Sequence, residues 1–202
     1  MKTVLVGYSG HGIVVVETAI IMGIKVYGYT DQNKKDRNPF DLKYIGNEKS
    51  QNFLHWDMID NYILGIGSNS LRYDAFKLIK SKGKSCLKVI NKTASISKYS
   101  SIGEGTFIAR SVSINPLCQI GDYCIINTAS SIDHECLIEN GAHIAPGSVL
   151  CGNVIVGKNA FIGANSVVKE GVKIGSNAII GAGSVILSDV KNNSCIHGVH
   201  SK

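Results

Sequence analysis

Two places in this 202-residue chain gather side chains that can do chemistry. The first is Asp133-His134-Glu135. Imidazole accepts a proton near neutral pH, so His134 suits the work of a general base. It stands third in a six-residue unit, at a position expected to face outward. Adjacent strand residues point to opposite faces. Glu135 can therefore orient His134 only across a bend or from a neighbouring subunit, and Asp133 is the rival orienting acid. The second place is Gly7-Tyr8-Ser9-Gly10-His11-Gly12. It sets glycines and backbone N–H groups where a strand meets a helix N-terminus, a geometry that favours phosphate. Tight strand-to-helix turns need glycine in any case, and the spacing departs from G-x-G-x-x-G, so NAD is not implied. Asp31, at the end of the next strand, could bind a ribose or base edge, or simply open the following loop.

The element that must position His134 is a repeat. Stepping by six from Ile96 to Ile186 meets only Ile, Leu or Val, and four residues after each stands a small residue such as Cys118, Ser148 or Ala160. A six-residue unit cannot bury its apolar side alone, so units must stack into triangular coils. Sixteen units predict about five coils of parallel β-helix over residues 95–202, with no protruding loop between Ile96 and Ile186. Glycines such as Gly103, Gly157 and Gly163 are expected to ease the turns. Cys118, Cys124 and Cys136 occupy the small slot, which makes them structural.

Residues 1–94 read as a separate small α/β unit with a Rossmann-like parallel sheet. Strands are expected over 3–7, 25–30, 62–67 and 86–90. Helices are expected over 13–22 and 71–82, with Gly23 stopping the first and residues 32–43 forming a loop. This half carries fourteen Lys/Arg against eight Asp/Glu, whereas the repeat half is neutral. The excess suits either a phosphorylated ligand or a solvated surface. Twenty-two Gly and three Pro fit many tight turns. No stretch approaches a membrane span, no signal-peptide pattern opens the chain and no CxxC pair is present. The expectation is a cytoplasmic protein with reduced thiols and neither membrane nor nucleic-acid partner.

The GxSGHG turn joined to an unbroken hexapeptide repeat resembles the sugar acyltransferases of the sialic-acid O-acetyltransferase type. Within them it is most similar to the N-acetyltransferases of nucleotide-linked 4-amino sugars. The resemblance covers nearly the whole chain. Its sharpest segments are Ile126–Cys136, Gly141–Gly147 and Cys151–Val154. It implies a left-handed β-helix, a homotrimer, acetyl-CoA as acyl donor, no metal, and a UDP- or dTDP-linked amino sugar as acceptor. It also implies roles. His134 becomes the general base with Glu135 beside it, and the Gly152 N–H faces the thioester oxygen. His143 positions the acyl donor. Gly10, His11, Asp31, Gly67 and Asn69 line the nucleotide-sugar pocket, and coenzyme A runs toward Ala164 and Ala182. The family often ends Gly-Val-Pro-Ala-Lys. This chain ends Gly198-Val199-His200-Ser201-Lys202, so tail contacts to coenzyme A are not carried over.

Three other functions stay open at this level. One is O-acetylation of a sugar hydroxyl, such as that of sialic acid. Another is a zinc enzyme, for which the repeat offers only His134 and His143, nine residues apart, where three ligands are needed. The last is a non-catalytic scaffold, against which the glycine turn argues.

Overall fold

The computed structural model describes residues 1–201. Five parallel strands open the chain: β1 (Thr3–Val6), β2 (Val26–Thr30), β3 (Lys43–Gly46), β4 (Asn61–Leu64) and β5 (Ser85–Cys86), in the order β3-β2-β1-β4-β5. The run TVLV of β1 is buried throughout, as a central parallel strand covered on both faces must be. β3 begins at Lys43, the last residue of the segment expected to be a loop. Its four residues, KYIG, lack the apolar run that marks the other strands.

Helix α1 (Gly10–Ile21) starts three residues before the expected position, because the second half of the glycine turn is already its first turn. It ends at Gly23, whose φ of +84° only glycine adopts without strain. Its sequence is apolar almost all round; most of that surface is covered, while Ile20 and Ile21 at its end stay exposed. Val15, Val16 and Ala19 share one continuous core with Ile108, Ala109 and Val112 of the repeat. Helix α2 spans Asn69–Ser81.

From residue 89 onward the chain is a parallel β-helix. Two-residue strands pair in register with those eighteen residues away, as Ser113–Ile114 does with Ser95–Ile96 and Ser131–Ile132. The first face runs from Val89–Ile90 to Cys195–Ile196, the second from Ser95–Ile96 to Val199–His200, and the third from Ser101–Ile102 to Lys173–Ile174. The six-residue step continues without a loop from Ile96 to Ile186, as expected. The β-helix nevertheless begins before residue 95. The stretch read as one strand over 86–90 divides: Cys86 pairs with Tyr62 in the α/β sheet, and Val89–Ile90 pairs with Phe107–Ile108. Beyond Ile186 the pairing offset shortens, Ile179 with Cys195 and Val185 with Val199, so the tail closes a smaller last coil.

The corners correct one expectation. Gly163 does not ease a turn. A Cβ there would lie 2.5 Å from the Ala182 nitrogen in the coil above, so glycine is needed for close stacking. The turn itself is made by the residue before the small slot, which is left-handed at each corner from Gly105 to Gly183; Gly147 (φ +69°) and Asn165 (φ 56°) show the usual choices. The small slot has a polar task as well. The Ser148 hydroxyl donates to Gly163 O (2.8 Å), and the thiols of Cys118, Cys124 and Cys136 donate to Asp133, Glu139 and Cys151 carbonyls.

The α/β unit sits on the first face and on the two edges that border it. The His11 ring packs edge-on against Phe107 with centroids 5.3 Å apart. Lys80 pairs with Glu104, and Arg110 with Glu17. Asn69 Nδ2 donates to Asn159 O at 2.8 Å. Among the described residues, no hydrogen bond or ion pair joins this unit to the edge between the second and third faces, where His134 stands.

Candidate active site

His134 and Glu135 are not strand neighbours. They form the two-residue corner between Ser131–Ile132 and Leu137–Ile138. Glu135 takes the left-handed position, φ 59°, which Gly or Asn fills at most other corners. This is the bend that lets adjacent side chains meet: His134 Nδ1–H donates to Glu135 Oε2 at 3.0 Å. Asp133 does not compete for the ring. Its Oδ1 accepts the His134 backbone N–H (2.8 Å) and Asn115 Nδ2 (2.7 Å), and these bonds hold its carboxyl below the usual range.

In the next coil, Gly152 lies against the imidazole. A Cβ at Gly152 would stand 2.5 Å from His134 Cε1 and 2.6 Å from Nε2. The ring therefore occupies space that only glycine leaves free. Hydrogen bonds among the described residues use the Gly152 carbonyl, which accepts from Gly171 N–H, and leave the Gly152 N–H without an acceptor. An open groove of about 470 Å³ surrounds these atoms, lined by Asp133, His134, Glu135, Cys151, Gly152, Asn153, Glu170 and Gly171. The lining is acidic, with Asp133, Glu135 and Glu170 and no Lys or Arg. It favours positive charge on an incoming ammonium.

The second group of residues lies at the carboxyl ends of β1 and β4. This is where open parallel sheets bind ligands, because the strand order turns from β2 to β4 on either side of β1. Gly12 and Gly65 are required by packing: a Cβ on either would lie 2.3 Å from Gly7 O. Gly10 meets nothing within 4 Å and leaves the start of α1 open. Asp31 fastens the turn. Its Oδ2 accepts Tyr8 N–H (2.9 Å), its Oδ1 accepts Gln32 N–H (2.8 Å), and Lys35 Nζ stands 2.8 Å away. Gly67 and Asn69 line a cleft of about 370 Å³ with Ser68, Ser70, Asn159, Phe161, Asn177 and Ile179, between the start of α2 and the first face.

Between crevice and β-helix lie His11 and His143. His143 is on the first face, buried, with Asn127 Nδ2 donating to its Nε2 at 3.3 Å and Phe161 edge-on. Its Nδ1, and Nε2 of His11, are buried without a hydrogen bond. Burial, and then the nearby Arg72 charge, hold His143 down at about 3 and His11 at about 4, so both rings are neutral. Ala164 and Ala182 stack eighteen residues apart on the edge between the first and second faces. In one chain, then, His134, Glu135 and Gly152 come together on one edge. Gly10, His11, Gly67, Asn69 and His143 gather on the opposite face with Asp31 beside them. Arg72, at the centre of this second group, escaped the sequence reading. Its signal was present: Arg72, Ala75, Phe76 and Ile79 follow the i, i+3, i+4, i+7 spacing of α2's inward stripe, with a cation in the first apolar place.

Comparison with known proteins draws these observations together. Residues 2–79 match the model of the PglD N-terminal domain, 135–170 the bacterial transferase hexapeptide (six repeats), and 153–188 the hexapeptide repeat of succinyl-transferase. No curated protein sequence matches significantly. Among solved structures, PerB from Caulobacter crescentus, in complex with CoA and GDP-perosamine, is 31% identical, with 98% of this chain and 94% of that one covered and a TM-score of 0.90; perosamine N-acetyltransferase from the same organism is 30% identical at the same coverage, with a TM-score of 0.92. The chain belongs to the hexapeptide-repeat acyltransferases of nucleotide-linked amino sugars. It is an acetyl-CoA-dependent sugar acyltransferase. The acetyltransferase domain of PglB from Neisseria gonorrhoeae, also solved with acetyl coenzyme A, is 27% identical over 98% of this chain and 96% of that one, with a TM-score of 0.90. Variants of the Caulobacter enzyme with one histidine replaced by asparagine or alanine belong to the same set of matches. No helix is long and apolar enough to cross a membrane, and among the described residues no three His, Cys, Asp or Glu converge.

Proposed function

We propose that this acyltransferase moves the acetyl group of acetyl-CoA to the 4-amino group of a nucleotide-linked amino-deoxy sugar, in the cytoplasm, with His134 as general base. The observation that carries the reading is the corner itself: an imidazole held by Glu135 through Nδ1, its Nε2 side open to the groove, above a backbone N–H with no acceptor. The amine attacks the thioester carbonyl while Nε2 takes its proton. Glu135 steadies the imidazolium that forms. The oxyanion accepts a hydrogen bond from Gly152 N–H, a donor already in place. Collapse expels the thiolate of coenzyme A, which takes up the proton, and no covalent enzyme intermediate is needed.

The α/β unit holds the nucleotide sugar, with Gly10, His11, Asp31, Gly67 and Asn69 about the crevice. The β-helix holds the donor, with His143 on the acyl side and coenzyme A passing Ala164 and Ala182. Since the crevice and His134 lie on opposite sides of one prism, the working site joins the crevice of one protomer to the His134 edge of another. A closed homotrimer supplies three such junctions. The acidic groove favours an amine over a hydroxyl acceptor.

The test is acetyl-CoA consumption followed by free thiol, across UDP-, dTDP- and GDP-linked 4-amino sugars. GDP joins the UDP and dTDP expected from sequence because the Caulobacter enzyme is complexed with GDP-perosamine. The reading predicts thiol release with one of these and a product that survives mild alkali, as an amide does. An alkali-labile product would mark an O-acetyltransferase, and no turnover with any acceptor would overturn the assignment.

A further inference from the structure

The largest fully buried side chain is a cation. Arg72 is 1% exposed, yet no carboxylate pairs with it among the described residues. Leaving a guanidinium in an interior is costly, and an apolar side chain of similar volume usually holds two layers together as well or better. Its retention calls for an explanation in its contacts. All five N–H groups are used. Nε donates to Tyr123 O (2.7 Å), one terminal nitrogen to Ile66 O (3.2 Å) and Gly67 O (3.0 Å), and the other to Asn69 Oδ1 (2.8 Å) and Gly141 O (2.8 Å).

These acceptors divide in a telling way. Ile66, Gly67 and Asn69 belong to the segment after β4 that borders the cleft. Tyr123 and Gly141 are left-handed corner residues of two successive coils, and the carbonyl of such a corner points out of the ladder. A planar fork with five donors in fixed directions can satisfy both sets at once; the point charge of lysine cannot.

We propose that Arg72 is a positioning residue for the acceptor substrate: it fixes the segment Ile66–Asn69 against the β-helix corners at Tyr123 and Gly141, and so sets the shape of the nucleotide-sugar cleft. The inference rests on the reading that this cleft takes the nucleotide sugar. It adds a residue that touches neither substrate.

The test uses purified Arg72→Lys and Arg72→Gln proteins, with circular dichroism and mass in solution as controls for fold and assembly. Binding of the active nucleotide sugar to the wild type is measured first by calorimetry. The expected result is a rise of about tenfold or more in the KM for nucleotide sugar in both variants, with the KM for acetyl-CoA within about twofold, the loss that misplacing a substrate clamp produces. Lysine should not rescue, because the fork and not the charge is needed. A lower melting temperature with both KM values unchanged would make Arg72 a purely structural tie and overturn the proposal. Failure of the wild type to bind any nucleotide sugar would overturn the functional reading and this inference with it. Should neither variant fold, hydrogen exchange on the wild type decides. Nucleotide sugar should slow amide exchange at both Ile66–Asn69 and the corners around Tyr123 and Gly141. Protection confined to the first segment would contradict the tie.

Discussion

At the scale of single residues, the site turns on one contact that the sequence left open between a bend and a neighbouring subunit, and that the bend supplies. Glu135 can reach His134 because the pair makes a corner, and the corner costs Glu135 a left-handed backbone. Such strain persists where something else fixes it, and here it coincides with the proposed base. His134→Ala should lower kcat by about 10²–10⁴-fold with acetyl-CoA binding nearly unchanged. Glu135→Gln should cost less, since it weakens an orienting contact; steady-state kinetics at saturating substrates separates the two. Gly152→Ala gives a sharper check. Its Cβ would stand 2.5 Å from His134 Cε1, so the ring must leave its place. A loss in kcat of about 10²-fold is expected from that displacement, with the fold intact by circular dichroism. Wild-type kcat in Gly152→Ala would mean the ring is not held over Gly152 during turnover. The proposed base stands in the stretch Ser131-Ile132-Asp133-His134-Glu135-Cys136 that carries the family resemblance. Arg72 was overlooked although its place on the inward stripe of α2 was visible, because a lone arginine at a helix start reads as surface until the opposing carbonyls are known.

At the scale of elements, the repeat was almost wholly legible and its glycines were misread. Period six fixes which residues point inward, but stacking contact between coils has no sequence signal separate from turning. Gly163 and Gly147 look alike in the chain and serve different ends, one close approach and the other a left-handed corner. The division at residues 86–90 was hidden for a similar reason, since Cys86 and Val89 are equally apolar and only their partners differ. The seam between the α/β unit and the first face carries a pH dependence. His11 and His143 are held at about 4 and about 3, mainly by burial, against 6.5 when unfolded. Unfolding lets each bind a proton below pH 6.5. Their stabilising effect is therefore complete above that value and falls as pH drops toward 4, by up to about 1.4 kcal/mol per pH unit for each ring. Urea midpoints at pH 7 and pH 5 should fall more steeply for the wild type than for a His11→Gln/His143→Gln variant. Equal slopes would show that these rings are not neutral in the folded chain.

At the scale of the molecule, the arrangement of faces says more than any single distance. The α/β unit covers the first face and its two bordering edges, and His134 stands on the remaining edge. A ligand in the crevice of one chain cannot meet the imidazole of the same chain without crossing the prism. Sequence pointed to assembly through the flat sides of the prism and the family resemblance; the separation of crevice and His134 adds a physical argument for the proposed trimer. This gives the most direct test of the central claim, that His134 acts on a sugar held by a neighbour. His134→Ala removes the base. Ser68→Trp fills the mouth of the cleft from an exposed position whose hydroxyl caps no helix N–H. Each variant alone should be nearly inactive. Mixed in equal amounts, dissociated and reassembled at random, they should recover about a quarter of wild-type activity, because that share of junctions pairs an intact base with an intact cleft. Activity no higher in the reassembled mixture than in either variant alone would place the base and the cleft of each site in one chain and contradict the account.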